Sequence, residues 1–344
     1  MAVRGRSSVL LVSPALSCDA FPSPPDHLVA TRRFAGIDAL LLLMTLIWGT
    51  NYAIVKHAFR FIDPQAFNAV RMIIASAVFL GIIAATRRLP AAQREEGSLA
   101  GIFFTPSPVT ARDWIGLAAL GIVGQCLYQY TFMAGLAATS VANAALLAAA
   151  APVLIGLGSG AIGEDRIGAG HWVGALLSLA GIYIVIGSGL SVGVSTLRGD
   201  LTMFVAVCCW AIYTLGSRPL MMRHSPVAVT GLSMAIGTAL YVPLVVPHLR
   251  SVNWSAVDPI TWLTIVYSAL FALCLSYTIW YAAVREIGSA RTSIYSNLVP
   301  VVAMATAILF IDEPLSLRKI AGAAAVLVGV ALTRVKPLTP CPEA

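Results

Sequence analysis

Charge is what this 344-residue chain has least of: 11% of its residues are Asp, Glu, Lys or Arg, against about 25% in an ordinary soluble domain. That is too little to cover a water-facing surface, so a soluble globular protein is excluded. No Asp or Glu lies near the middle of any long apolar run, which argues against the midplane carboxylate of proton pumps and many symporters. No P-loop is present, so ATP is not the direct energy source. The six cysteines show no metal-ligand spacing, and Cys126, Cys208, Cys209 and Cys274 sit inside apolar runs as small hydrophobes. His57, His171, His224 and His248 fall at the ends of those runs, His27 lies near the N-terminus, and none accompanies another. An integral-membrane enzyme would need an acid/base pair, a metal cluster or a nucleophile array at membrane depth. The sequence offers no catalytic or metal-binding residue.

What is there is apolar. Hydrophobic residues make up 58% of the chain, and mean hydropathy is +0.86. A spanning helix needs about 20 apolar residues to cross about 30 Å of hydrocarbon. Such runs fall at 36–56, 64–85, 114–136, 138–162, 172–189, 201–217, 227–247, 260–284, 291–310 and 319–333. The uncharged stretch between Asp113 and Glu164 would be about 75 Å long as one helix. It therefore predicts two spans with a turn near Gly135-Leu136. The fold class expected is all-α and integral to the membrane, with about ten transmembrane helices. Residues 1–35, rich in Pro and Ser, read as a disordered cytoplasmic tail, and 335–344 as a second cytoplasmic tail.

The net charge of +7 comes from basic residues at span ends. They form no stripe for nucleic acid and instead set orientation. With the N-terminus inside, 15 of the 22 Lys and Arg residues face the cytoplasm and six face outward, with Arg71 left inside a span. That bias places both termini in the cytoplasm of a multi-pass inner-membrane protein. A homodimer is left open.

The two halves align. At an offset of 162, Asp38 matches Asp200, Trp48 matches Trp210, Pro64 matches Pro226 and Ala66 matches Ala228. Further on the offset is 148, matching Trp114 with Trp262, Pro152-Val153 with Pro300-Val301, and Gly181 with Gly329. The difference of 14 residues falls in the polar stretch 86–112. The copies run 36–189 and 199–334. Five spans is an odd number, so the second copy is inverted relative to the first, the arrangement that lets carriers alternate access.

With these features in place the chain resembles a drug/metabolite transporter of the EamA type across roughly residues 36–334. The likeness rests on Trp48-Gly49-Thr50-Asn51, on Pro64 to Arg71, and on Pro152 followed by Gly163-Glu164. In the second half it rests on Gly288-Ser289-Ala290-Arg291 leading to Pro300-Val301, Asp312-Glu313 and Gly322-Ala323. Asp312 departs from the glycine usual before that glutamate. The resemblance implies ten spans in two repeats and export or import of amino acids, related metabolites or drugs, without a bound cofactor. The rival readings are a membrane enzyme and a non-transporting scaffold or receptor subunit.

Helical spacing of i, i+3 and i+4 collects polar and aromatic residues on shared faces. Trp48, Asn51 and Tyr52 form one patch, and their repeat partners Trp210, Tyr213 and Thr214 another. Gln125, Tyr128 and Gln129 form a third, and Tyr277, Trp280 and Tyr281 a fourth. Polar groups are costly in hydrocarbon, so these faces are expected to point inward. They would line a substrate pocket between the halves or hydrogen-bond between helices. Arg71 either snorkels or pairs with a helix, or, with Asn68 one turn earlier, meets a substrate carboxylate. Its repeat partner is Ser233. Pro152 and Pro300 are expected to kink spans four and nine, as gating hinges or fixed bends. Glu164 and Glu313 read as closing helix ends, with ion coupling as the alternative. Gly174, Gly181, Gly322 and Gly329 read as close-packing positions.

Overall fold

The computed structural model describes residues 27–88, 100–105, 108–163, 169–186, 194–311 and 317–333. Residues 335–344, read as a tail, and residues 1–26 of the tail read over 1–35 lie outside these residues, as do Glu164, Asp312 and Glu313; residues 27–35, expected to be disordered, are helical instead. All described elements are helical. The described residues up to Asp38 and those from Ala39 onward group as separate compact units, and the helix bundle with its contacts belongs to the second. The first repeat comprises α1 (His27–Ala58), α2 (Pro64–Arg88), α3 (Ala111–Ala138), α4 (Val141–Ala161) and α5 (Ala169–Ile186). The second comprises α6 (Val194–Met221), α7 (Pro226–Leu244), α8 (Pro259–Ile287), α9 (Ser289–Phe310) and α10 (Leu317–Thr333). Eight of these are long and apolar enough to cross a bilayer; α5 and α10 are the shorter pair. Helix α1 begins at His27, nine residues before the apolar run that marks its span.

The repeat is visible in local structure. Helices α3 and α8 each contain a π-helical segment, Gly121–Leu127 and Ser268–Leu275, which coincide to within a residue at the 148-residue offset. Helix starts coincide too. Asp63 caps α2 by accepting from the Gln65 and Ala66 amides. Ser225, its counterpart, caps α7 by accepting from Ala228 N–H. At α3, Thr110 and Asp113 form a reciprocal capping box. At α8 the same two positions hold Asp258 and Thr261 with the roles exchanged. Hydrogen bonds from the Thr261 hydroxyl, and then from its amide, hold the Asp258 carboxyl below the usual carboxylate range.

The turn between α3 and α4 falls at Thr139-Ser140, four residues beyond the position expected near Gly135-Leu136. Thr139 is extended, and the Ser140 hydroxyl accepts from Asn143 N–H to start the next helix. Gly135 has a different task. A Cβ there would stand 2.8 Å from Met203 N and 2.9 Å from its Cα, so glycine lets α6 lie directly on α3. Pro152 and Pro300 also depart from expectation, since neither kinks a continuous helix. Span α4 breaks at Ala149-Ala150, and Pro152 opens its second segment. Span α9 passes through a 3₁₀ turn at Ile294–Leu298, and Pro300 is the second residue of the α-helical segment after that turn. A proline lacks the N–H that the first turn of a helix leaves unbonded, so both sit where they cost least.

The copies are antiparallel and interlocked. Tyr241, late in α7, hydrogen-bonds Gln65, early in α2, while Phe79, late in α2, packs on Gly231, early in α7. The first helix of each copy packs on the other copy: Gly49 of α1 lies against Val302 of α9, and Gly158 of α4 against Leu215 of α6. Helices α5 and α10 pack as a pair, with Gly329 over the Gly174 carbonyl and Ser178, as the small-residue spacing predicts.

Replacing Gly135 by alanine is expected to lower thermal stability in detergent by about 1–3 kcal/mol, because the backbone of α6 cannot yield. Gly81→Ala, where a Cβ meets nothing within 4 Å, is expected to be neutral or stabilising.

Candidate functional site

Inverted copies related by a two-fold axis bring residues near that axis against their own counterparts. Three such pairs touch. Trp48 and Trp210 meet edge to face with ring centroids 5.5 Å apart. Ser76 and Thr238 hydroxyls hydrogen-bond at 2.8 Å. Gln129 Nε2 donates to the Tyr277 hydroxyl at 3.1 Å. The members of each pair are equivalent at one of the two offsets, so the axis runs between them. A cavity of about 70 Å³ lies beside it, room for a few water molecules at roughly 10–15 Å³ each.

Eight of the thirteen predicted pocket residues line this cavity: Trp48, Asn51, Tyr52, Arg71, Tyr128, Gln129, Trp210 and Tyr277. Asn68 stands behind Arg71 and accepts from its Nε at 3.0 Å. Gln125, Tyr213, Trp280 and Tyr281 lie outside the lining, in a closed cluster across the axis. There the Tyr213 and Ser233 hydroxyls bond at 2.9 Å, and the Tyr213 ring fills the space a Cβ on Gly124 would need. Trp280 bridges the two regions, with its ring 5.4 Å from Trp48 and 5.5 Å from Trp210.

Sequence spacing misses Phe132, Met203 and Val207, apolar residues of the lining with no feature to separate them from core. It also misses Ala151 and Val299, the first residues of the second segments of α4 and α9, each next to its proline. The breaks in both spans therefore border the cavity. Trp48 Nε1 is fixed by a 2.9 Å bond to the Ala272 carbonyl in the π segment of α8, so the indole ring is held across the axis.

Arg71 does not snorkel. It is 2% exposed and bonds inward three times: Nε to Asn68 Oδ1, Nη1 to Ser268 Oγ at 2.9 Å, and Nη2 to Gln129 Oε1 at 2.8 Å. All three acceptors are neutral. Asn51 Oδ1 is buried without a hydrogen-bond partner.

Each end of the bundle is closed by polar contacts between the copies. At one end Asp113, 2% exposed, pairs with Arg223 at 2.8 Å and with His224 at 3.1 Å. At the other, Asp63 meets His248 at 3.0 Å; at that same end, within the first copy, Lys56 Nζ donates to the carbonyls of Leu136, Ala137 and Thr139 that end α3. The histidines look isolated in sequence because each partner is an N-terminal cap residue of a helix in the other copy. Among the described residues no group of three or more His, Cys, Asp or Glu could hold a metal ion.

Trp210 touches Trp48, Tyr128, Tyr213, Tyr277, Trp280 and Tyr281. Trp210→Ala is expected to cost about 3–5 kcal/mol, read as a lower unfolding midpoint in detergent; an unchanged midpoint would show that the aromatic cluster is not structural.

Known proteins bear on this arrangement. A transporter of Bacillus subtilis named YyaM, itself uncharacterised, is 27% identical, covering 87% of this chain and 93% of its own length. A protein of Salmonella typhimurium named as a probable amino-acid metabolite efflux pump is 25% identical, covering 85% and 92%. A crystal structure at 21% identity superposes with a TM-score of 0.64 over 87% of this chain and 97% of the other, which shows the fold. The description of the EamA-like transporter family matches residues 36–187 and again 197–335. Spanning nearly the whole described chain in two copies, that match places it among transporters rather than enzymes: the chain belongs to the EamA-like transporter family.

Proposed function

We propose that the chain is a secondary carrier or exporter of a small organic metabolite, such as an amino acid or a related amphipathic compound. It works by alternating access between its inverted repeats. The observation that carries this reading is a cavity placed beside the two-fold axis, lined from both copies, with the image of its lining closed across the axis. Applying the offsets to Asn51, Tyr52, Arg71, Tyr128 and Phe132 gives Tyr213, Thr214, Ser233, Ser276 and Trp280. Three of these (Tyr213, Thr214 and Trp280) belong to the patches read from the sequence, and all five are buried here. When the copies exchange conformations, the first set closes and the second opens. The breaks beside Pro152 and Pro300 are where α4 and α9 would flex, which makes them the gating positions of this scheme.

The basic residues orient the molecule with both termini in the cytoplasm. The Asp63–His248 end then faces outward and the Asp113–Arg223 end inward. Residues 51, 52, 71 and 128–132 all lie in the halves of their helices nearer the outer end. The cavity therefore belongs to the outer half of the bilayer, and its closed image to the inner half.

Two measurements test the reading. Purified protein in proteoliposomes is expected to move at least one solute of a metabolite mixture, and comparison with and without a pH gradient reports the coupling. On a background with the native cysteines replaced, Ser276→Cys and Thr214→Cys are expected to react with a membrane-impermeant thiol reagent only from the cytoplasmic side. Asn51→Cys is expected to react only from the outside. Labelling of all three from one side would overturn the alternation.

A further inference from the structure

We propose that the central cavity binds the carboxylate of a small organic monoacid, with Arg71 as its anchor; the inference rests on reading that cavity as the substrate site.

Arg71 carries a full charge at membrane depth, and this is expensive unless it is paired. Among the described residues it has no carboxylate partner. Its three hydrogen bonds go to the side-chain carbonyls of Asn68 and Gln129 and to the Ser268 hydroxyl. These satisfy geometry without cancelling charge. A guanidinium has five N–H donors, so two remain, one on Nη1 and one on Nη2, and the side chain lines the cavity. Two parallel N–H groups in one plane match a carboxylate. The missing counter-ion is therefore supplied by the ligand.

The surroundings limit the ligand further. One cation among neutral groups balances one negative charge, which favours a monoanion over a phosphate dianion. Trp48, Trp210 and Phe132, with Val207, form an apolar wall for the rest of the molecule. Asn51 Oδ1, buried, unpartnered and in the same lining, offers an acceptor for an N–H or O–H elsewhere on the ligand. The image of Arg71 is Ser233, whose hydroxyl is engaged by Tyr213. The carrier thus has one anion anchor, on one side of the axis only.

The test uses matched pairs that differ only at the acid group: phenylalanine against its primary amide, and 3-phenylpropionate against its amide. Binding to the purified protein is followed by tryptophan fluorescence, since Trp48 and Trp210 form the wall, and transport is measured separately in proteoliposomes. The acids are expected to bind at least about tenfold tighter than the amides, as a charge-assisted bidentate pair requires. Retention of phenylalanine over phenylpropionate reports a ligand N–H donating to Asn51 Oδ1. Arg71→Gln is expected to remove the acid preference. Should that variant fail to fold, Gln129→Glu serves instead. It sets a carboxylate beside Arg71 Nη2 in place of the present acceptor, supplies an internal counter-ion, and is expected to abolish acid preference while keeping the fold. Equal binding of acids and amides by the wild type, no response to either acid, or acid preference surviving in a folded Arg71→Gln or Gln129→Glu protein would each overturn the proposal. Arg71-dependent acid binding without flux would count against the carrier reading alone. Flux of solutes without acid preference would sink the anion site and leave the carrier standing.

Discussion

Everything in this molecule depends on residues meeting their own counterparts across an axis between inverted copies. Trp48 against Trp210 is the plainest case, with two indoles edge to face. Such contact constrains chemistry. A hydroxyl tolerates a hydroxyl, because each can donate or accept, and Ser76 and Thr238 are alike in this. Two glutamines or two tyrosines would also be tolerable at 129 and 277; here Gln129 Oε1 accepts from Arg71, which leaves its Nε2 to donate to the Tyr277 hydroxyl. Charge is different. Arginine at both 71 and 233 would bury a second charge, one on each side of the axis, in a low-dielectric setting where repulsion is poorly screened. Serine at 233, the position equivalent to Arg71, is how this inverted repeat keeps a single cation.

The ends of the bundle obey another rule. There the chain must bond the orphan groups of helix termini and also join the copies. Lys56 does the first within its own copy, filling three carbonyls at the end of α3, where positive charge also suits the helix dipole. Asp113 caps α3 through Thr110 and reaches Arg223 and His224 in the connection between α6 and α7. Asp63 caps α2 and reaches His248. Capping residues thus double as contacts between copies, and any rocking of one copy against the other has to be felt at a helix terminus.

Much of this can be read in the sequence, and the failures are instructive. Span positions and the two offsets come from hydropathy and from rare residues at constant spacing, and both are properties of the chain in one dimension. Equivalence does not imply contact, so the offsets pair Trp48 with Trp210 by number and not by touch. The face of a helix is legible only while its period holds. Gln125 and Gln129 are one turn apart in an α-helix, yet Gln125 lies in the π segment Gly121–Leu127, and only Gln129 lines the cavity. The wider π turn rotates the residues before it by up to about 100°, one residue's worth of helix. Gly135 misleads because glycine at a close approach and glycine at a turn look alike until the neighbouring backbone is in place.

The single cation also bears on how a carrier releases what it binds. A guanidinium held by a carboxylate of the protein would be neutralised already and would gain little from a ligand. One left bare would be too costly to fold. Neutral acceptors at Asn68, Gln129 and Ser268 hold the group in place and leave its charge available. Gln129 is also the residue that bonds Tyr277 across the axis. A ligand that draws on Nη2 therefore pulls on the same amide that joins the two copies. One hydrogen-bonded chain runs from Arg71 through Gln129 to Tyr277, and on the proposed reading binding at Arg71 and movement of the copies would share it. Occupancy can be felt at the axis through that chain, with no charged group needed at the axis itself.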